Sequence, residues 1–235
     1  MDKLNTVILC GGLGTRLRSV VSDRPKSMAL ISGRPYLEIM VKHLASIGLK
    51  ELVLLTGYMA ESIQNHFGDG SRFGVQIRYS HEETPLGTAG AVRMALPLLS
   101  DPFFVLNGDS YLSFDPDKML AKMKELESPL IMAAVRVDNA SRYGALDLDE
   151  NSRVTTFHDK TAAPEPGWIN AGVYLLRQSL LASLPAGESI SIERDIFSKL
   201  PAGSIVTVPS PGPFIDIGIP EDLERAQSFP FPGSD

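Results

Sequence analysis

The chain has 235 residues, enough to bury a sizeable core in one large α/β domain or two small ones. Hydrophobic residues make up 43% and charged residues 21%, the balance of an ordinary water-soluble globular protein. A formal net charge of -6 with no basic block argues against bulk attraction to nucleic acid or to an anionic membrane. Any phosphate site must therefore be built locally, from loop N–H groups and a few placed cations. The single cysteine, Cys10, excludes an internal disulfide and, at the end of an apolar run, reads as a small buried residue. Met1-Asp2-Lys3-Leu4-Asn5 lacks the basic and apolar segments of a signal peptide. No apolar run approaches the roughly 18 residues of a membrane span, so a cytoplasmic protein is expected.

In chain order, Thr6 to Cys10 is apolar and ends in Gly11-Gly12, the pattern of a doubly covered parallel strand with a loop at its C-terminal end. A helix is predicted from Pro35 to Gly48, with Pro35 as its first residue and Leu37, Met40, Val41, Leu44 and Ile47 on one face. A strand over Glu51–Thr56, a helix over Met59–Phe67, a strand over Val75–Tyr79, a helix over Thr88–Leu96 and a buried strand over Phe103–Leu106 follow. This alternation predicts an α/β fold, a Rossmann-like and mostly parallel sheet flanked by helices. The second half reads as strands over Leu130–Val137, Ala145–Leu148, Val154–Phe157 and Ile169–Leu176, separated by polar turns. Helices over Ser191–Leu200 and Pro220–Gln227 with a strand over Ile205–Val208 complete a single domain spanning 1–228, and the Pro-rich segment 229–235 is expected to be a flexible tail.

The most informative stretch is Gly11-Gly12-Leu13-Gly14-Thr15-Arg16-Leu17, directly after the first strand. Glycines let a backbone approach a ligand closely and take positive φ, and successive loop N–H groups can then cradle phosphate oxygens. Arg16 adds a permanent fork-shaped cation, and Arg24-Pro25-Lys26-Ser27-Met28 supplies a second one at Lys26. The P-loop pattern, the dinucleotide pattern and the nucleophile elbow are all absent. The four histidines, His43, His66, His81 and His158, show no metal-ligand spacing.

The glycine stretch followed by Pro25-Lys26-Ser27-Met28 resembles the signature of the sugar-1-phosphate nucleotidyltransferases, and the likeness runs along nearly the whole chain. The chain departs from the usual pattern at Cys10, where alanine is common, and at Ser27, where proline is common and stiffens the loop beside the lysine. Within the family, the length and the wording Arg18-Ser19-Val20-Val21-Ser22-Asp23-Arg24-Pro25-Lys26 most resemble the branch that guanylylates D-glycero-α-D-manno-heptose 1-phosphate. The resemblance implies a nucleotide half at about 1–128 and a sugar-phosphate half at about 129–228. It implies nucleotide contacts at Leu9, Gly11, Gly12, Gly14, Thr15, Arg16, Pro85, Gly87, Thr88 and Asn107, with Thr88 capping a helix.

Glu82 stands about where pyrimidine-using relatives carry glutamine. A carboxylate only accepts hydrogen bonds, which suits the paired N1–H and 2-amino donors of guanine and repels the acceptors of uracil and thymine. GTP is therefore favoured; the alternative is a solvated Glu82 and a base read by backbone. Asp109, after the buried strand, lies where open α/β sheets bind ligands. With Asp216 it is the pair expected to hold Mg2+, a hard cation bound through few carboxylates and substrate phosphates. On the sugar side the resemblance implies contacts from Gly144, Asp159 and Asn170 to hydroxyls and from Lys160 to the sugar phosphate. Asp159 and Thr161 stand where Glu and Pro are usual.

The implied reaction is in-line attack of a sugar 1-phosphate on the α-phosphorus of a nucleoside triphosphate, with release of pyrophosphate. Arg16, Lys26, Asp109, Lys160 and Asp216 would carry it by positioning and charge. The expected partners are these two small molecules, with no nucleic acid and no membrane. Within the family the alternative is a hexose-1-phosphate uridylyl-, thymidylyl- or guanylyltransferase. Outside it two other readings compete: a glycosyltransferase using Asp115-Pro116-Asp117 as a metal motif, and a non-catalytic nucleotide-sugar-binding regulatory subunit. The first has no need of the glycine loop, and the second has no need of the cations and aspartates.

Overall fold

The computed structural model describes residues 4–17, 19–158 and 165–232. Strand β1 (Asn5–Leu9) is followed by a small hairpin, β2 (Leu30–Ile31) and β3 (Arg34–Pro35), that leads into helix α1 (Tyr36–Ser46). Next come β4 (Glu51–Thr56), α2 (Ala60–Phe67), β5 (Gln76–His81), α3 (Gly87–Ala95) and β6 (Phe103–Asn107). A short β7 (Ser110–Leu112), α4 (Pro116–Leu126), β8 (Leu130–Val137), β9 (Ala145–Leu148), β10 (Val154–Phe157) and β11 (Gly167–Leu176) follow. The described chain closes with α5 (Ser179–Ala182), β12 (Val206–Pro209), β13 (Phe214–Asp216) and α6 (Pro220–Ala226).

Among the described residues the main sheet has nine strands, with β10-β9-β11-β6-β1-β4-β5 along its main path, β8 also on β11, and β12 on β8. β5, β4, β1 and β6 are mutually parallel. β11 is antiparallel to β6, β8 and β9, and β10 is antiparallel to β9, so β10 and β11 run against the other strands of a mostly parallel sheet. A break in register between Asn170 and Tyr174 lets β11 pair with β9 along its first half and with β6 along its second.

The sheet separates two apolar layers, because successive side chains of a strand face opposite sides. Ile8, Leu52, Leu54, Phe104 and Leu106 meet α1, α2 and α4 on one side. Val7, Val53, Leu55, Phe103 and Val105 meet α3 and α5 on the other. Burial on both faces is why these strands read as unbroken apolar runs. The glycine loop and the ends of β6 and β4 all emerge at the same edge of this sheet, the C-terminal edge of its parallel strands.

Several expectations are corrected. Pro35 precedes α1 as its N-cap and pairs with Leu30, leaving Tyr36 as the first helical residue. The helix expected over Ser191–Leu200 is a π-helical turn (Ile192–Ile196) followed by a 3-10 turn (Phe197–Lys199). The segment expected to be a flexible tail begins docked. Phe231 is buried, its ring 5.1 Å from Tyr111 and 6.2 Å from Tyr36, so its apolar area leaves water.

Candidate active site

At the end of β1 the chain turns through Gly11 and Gly12 into a 3-10 turn at Thr15–Leu17, closed by a Leu17 N–H to Gly14 C=O bond of 2.9 Å. Gly14 has φ +59°, and a Cβ there would lie 2.9 Å from Lys26 Cβ. A side chain at position 14 would therefore push Lys26 off the loop. Gly108, just past β6, packs directly on the Leu9 carbonyl. These approaches close one wall of a cleft of about 450 Å³. Leu9, Gly11, Gly12, Gly14, Thr15, Arg16, Lys26, Glu82, Pro85, Gly87, Thr88, Asn107 and Asp109 all line it. Every nucleotide-side residue singled out in the sequence is thus brought to a single cavity. Cys10 lies behind the loop, where burial pushes its thiol far above the ordinary range, as befits a packing residue rather than a nucleophile.

Asp216 joins Asp109 through a pairing the sequence did not reveal. β13 runs antiparallel to β7 with Asp216 opposite Ser110. The Ser110 hydroxyl lies 2.8 Å from Asp216 Oδ2 and 3.3 Å from Asp109 Oδ1, and the Ile217 N–H donates to the Asp109 carbonyl at 2.8 Å. Lys26 Nζ is ion-paired with Asp109. Burial, and then the neighbouring Asp109 charge, hold the Asp216 carboxyl above the ordinary carboxylate range. Two carboxylates crowded together and partly desolvated favour a cation between them. Among the described residues no three His, Cys, Asp or Glu side chains gather into a metal cage. The hard oxygen donors of Asp109 and Asp216 fit a divalent ion that completes its shell with water and phosphate oxygens.

Glu82 follows β5 and folds its carboxylate toward the cleft. Oε2 accepts from the Leu86 N–H at 3.0 Å, and Oε1 lies so close to Gly11 that a Cβ there would meet it at 2.6 Å. Thr88 does not cap α3, which has Leu86 as its N-cap. Its Oγ1 instead accepts from the Ile192 N–H at 2.7 Å, a link that draws the π-helical turn and Glu193 onto the cleft wall. Glu193 was missed in the sequence, where Ser191-Ile192-Glu193-Arg194-Asp195 reads as a charged helix surface.

On the other side of Asp109, Asn170 sits at the break in β11 and hydrogen-bonds Tyr174 and Glu193. Gly144 is held beneath the His158 carbonyl, next to a loop anchored by Arg142. That guanidinium grips Asp222, a fully buried carboxylate in α6, with both nitrogens, one of them at 3.1 Å. Asp159 and Lys160 lie outside the described residues. Asp115 caps α4 by accepting from the Lys118 N–H at 3.1 Å, which gives the Asp115-Pro116-Asp117 stretch a structural reason to exist.

Residues 5–229 match the family model described as nucleotidyl transferase. The chain belongs to the nucleotidyltransferase family. It is 37% identical over 222 residues to D-glycero-alpha-D-manno-heptose 1-phosphate guanylyltransferase of Campylobacter jejuni, an alignment covering 93% of this chain and 96% of the relative. It is 34% identical to mannose-1-phosphate guanylyltransferase of Mycobacterium tuberculosis over 96% of this chain, but spans only 64% of that protein. The crystal structure of HddC from Yersinia pseudotuberculosis, also solved in complex with GMP-PN, superposes with a TM-score of 0.85 at 35% identity, covering 95% of this chain and 98% of that one. The nucleotidyltransferase shares its mixed, mostly parallel sheet flanked by helices with the Yersinia protein. No helix among its described residues is long and apolar enough to cross a membrane.

Proposed function

We propose that this nucleotidyltransferase moves GMP from GTP to D-glycero-α-D-manno-heptose 1-phosphate, yielding GDP-heptose and pyrophosphate for surface polysaccharide or glycan synthesis. The observation that carries the reading is the meeting of the glycine loop, Lys26, Asp109 and Asp216 at one sheet edge. The name of the Campylobacter relative supports the choice of GTP and heptose phosphate, and the GMP-PN complex of the Yersinia protein supports a guanine nucleotide. Glu82, held beside Gly11 with an oxygen toward the cleft, supports guanine.

The sugar phosphate is already an anionic nucleophile, so the reaction needs no general base. The difficulty is bringing two anions together and holding them in line. Loop N–H groups from Gly11 to Thr15 and the Arg16 guanidinium hold the β- and γ-phosphates, which leave as pyrophosphate. Lys26 exchanges its Asp109 partner for the α-phosphate region, and Lys160 receives the sugar phosphate. Asp109 and Asp216 would hold Mg2+, which would supply charge neutralisation for the reacting phosphates. The sugar hydroxyl contacts are assigned to Gly144, Asp159 and Asn170 on the family resemblance.

Pyrophosphate release in the presence of Mg2+, with each nucleoside triphosphate set against mannose, glucose and heptose 1-phosphates, tests the proposal. Release with GTP and the heptose phosphate is expected. Release only with GTP and mannose 1-phosphate would transfer the assignment to the activity named for the Mycobacterium relative, and UTP or dTTP with a hexose phosphate would remove both base and sugar.

A further inference from the structure

Glu193 is a cleft acid that the phosphate loop and the aspartate pair leave unexplained. It lines the cavity beside Thr88, Ala91 and Asn107. Its Oε1 is fixed by two donors, the Tyr174 hydroxyl at 2.9 Å and Asn170 Nδ2 at 3.3 Å. Tyr174 is fully buried, and its oxygen also accepts from Asn170 Nδ2 at 2.7 Å. Asn170 Oδ1 accepts from the Gly172 N–H at 3.0 Å, which settles which way round the amide lies. The polar atoms of Asn170 and both roles of the Tyr174 hydroxyl are therefore engaged in holding Glu193. Among the described residues Glu193 Oε2 has no hydrogen-bond partner.

A carboxylate fixed in the wall of a phosphate-binding cleft repels every phosphoryl oxygen, so its favourable neighbours are hydroxyl donors. The order of groups along the sheet edge says which ones. Glu82 follows β5, the glycine loop follows β1, Asp109 follows β6, and the anchors of Glu193 stand on β11. The anchors Asn170 and Tyr174 stand on β11, which borders β6 on the side away from β1, β4 and β5, the strands whose ends lead to the glycine loop and Glu82. The β11 break itself packs on Asn107, which a Cβ on Gly172 would meet at 2.6 Å.

We propose that Glu193 accepts hydrogen bonds from hydroxyls of the incoming sugar 1-phosphate, and that Asn170 and Tyr174 are positioning residues that aim it. Resting on the reaction proposed above, this moves the hydroxyl contact expected of Asn170 onto Glu193, and makes Glu193 a determinant of which sugar is accepted.

The test is calorimetric binding of the heptose, mannose and glucose 1-phosphates to the full chain saturated with Mg2+ and a non-hydrolysable GTP analogue. Wild type is compared with Glu193→Gln, Glu193→Ala and Tyr174→Phe. Glu193→Ala is expected to weaken binding of the accepted sugar phosphate about tenfold or more. Glu193→Gln, which keeps the shape and one acceptor, and Tyr174→Phe, which loosens the aim, should fall between. Affinity for the GTP analogue and the melting temperature should stay close to wild type in the glutamine variant. Unchanged sugar-phosphate affinity in both Glu193 variants would overturn the inference, as would a loss confined to the GTP analogue, which would place the contact on ribose. Pyrophosphate release by wild type, scored separately, tests the reaction itself. Wild type that binds no sugar phosphate would end both readings together.

Discussion

Ser110 and Asp216 face each other across the two-stranded β7–β13 ladder, 2.8 Å apart through the serine hydroxyl. This ladder, with the Ile217 N–H to Asp109 C=O bond beside it, brings Asp216 to the acid that follows the sheet's central strand. Replacing Asp216 with Asn keeps the size and the Ser110 contact but removes the charge. Turnover is expected to fall about a hundredfold or more, and the Mg2+ concentration for half-maximal rate to rise, with the melting temperature held or raised because a crowded buried charge is gone. A near-normal rate at ordinary Mg2+ would remove Asp216 from the metal pair.

Glu82 carries the argument for guanine. Its Oε2 is already engaged by the Leu86 N–H at 3.0 Å, so the carboxylate is held rather than free to turn away. Glu82→Gln is expected to lower kcat/KM for GTP about tenfold or more, while the value for UTP or dTTP rises relative to it. Steady-state kinetics with the three nucleotides decide the point. An unchanged ratio would assign base reading to the backbone.

Gly87 opens α3 at φ +67°, and a Cβ there would sit 2.6 Å from the Ile190 carbonyl oxygen. Gly87→Ala combines left-handed strain, on the order of 1–2 kcal/mol, with displacement of the segment that carries Glu193. Thermal melting should drop by several degrees, and KM should rise for both substrates. Unaltered melting would show that the contact with Ile190 gives way freely.

His43 lies in α1 with its ring 4.9 Å from Tyr111, and burial holds its imidazole below the ordinary value of 6.5. The unfolded chain therefore binds this proton more readily than the folded one. The associated stability is fully present above about pH 6.5 and is lost as the pH falls below it toward the folded value. Melting temperatures followed down to about pH 5 should decline more steeply for wild type than for His43→Leu. Parallel curves would mean that the imidazole does not titrate differently on folding.

The parallel half of the sheet was legible because its strands are buried on both faces and read as continuous apolar runs; β4 and β8 fall where the sequence places them. The glycine loop was legible because its chemistry is local. The aspartate ladder was not: β7 and β13 are three residues each, too short for any periodicity, and they pair across about a hundred residues of chain. Glu193 was hidden for a related reason. Its π-helical turn is tied to α3 by the bond from Ile192 to Thr88, a long-range contact, and a charged run in a predicted helix looks like a solvated face. The pairing of Arg142 with the buried Asp222 joins residues 80 positions apart, which no local pattern carries.

The central claim is that this cleft joins a nucleotide to a sugar phosphate, and phosphorus NMR of one reaction mixture tests it directly. With the chain, Mg2+, GTP and D-glycero-α-D-manno-heptose 1-phosphate, the account predicts that paired diphosphate-diester signals of a nucleotide sugar and the signal of pyrophosphate grow together in equal amounts and vanish when the metal is chelated. A mixture in which GTP and the sugar phosphate persist unchanged, or in which GDP and inorganic phosphate form instead, would contradict it.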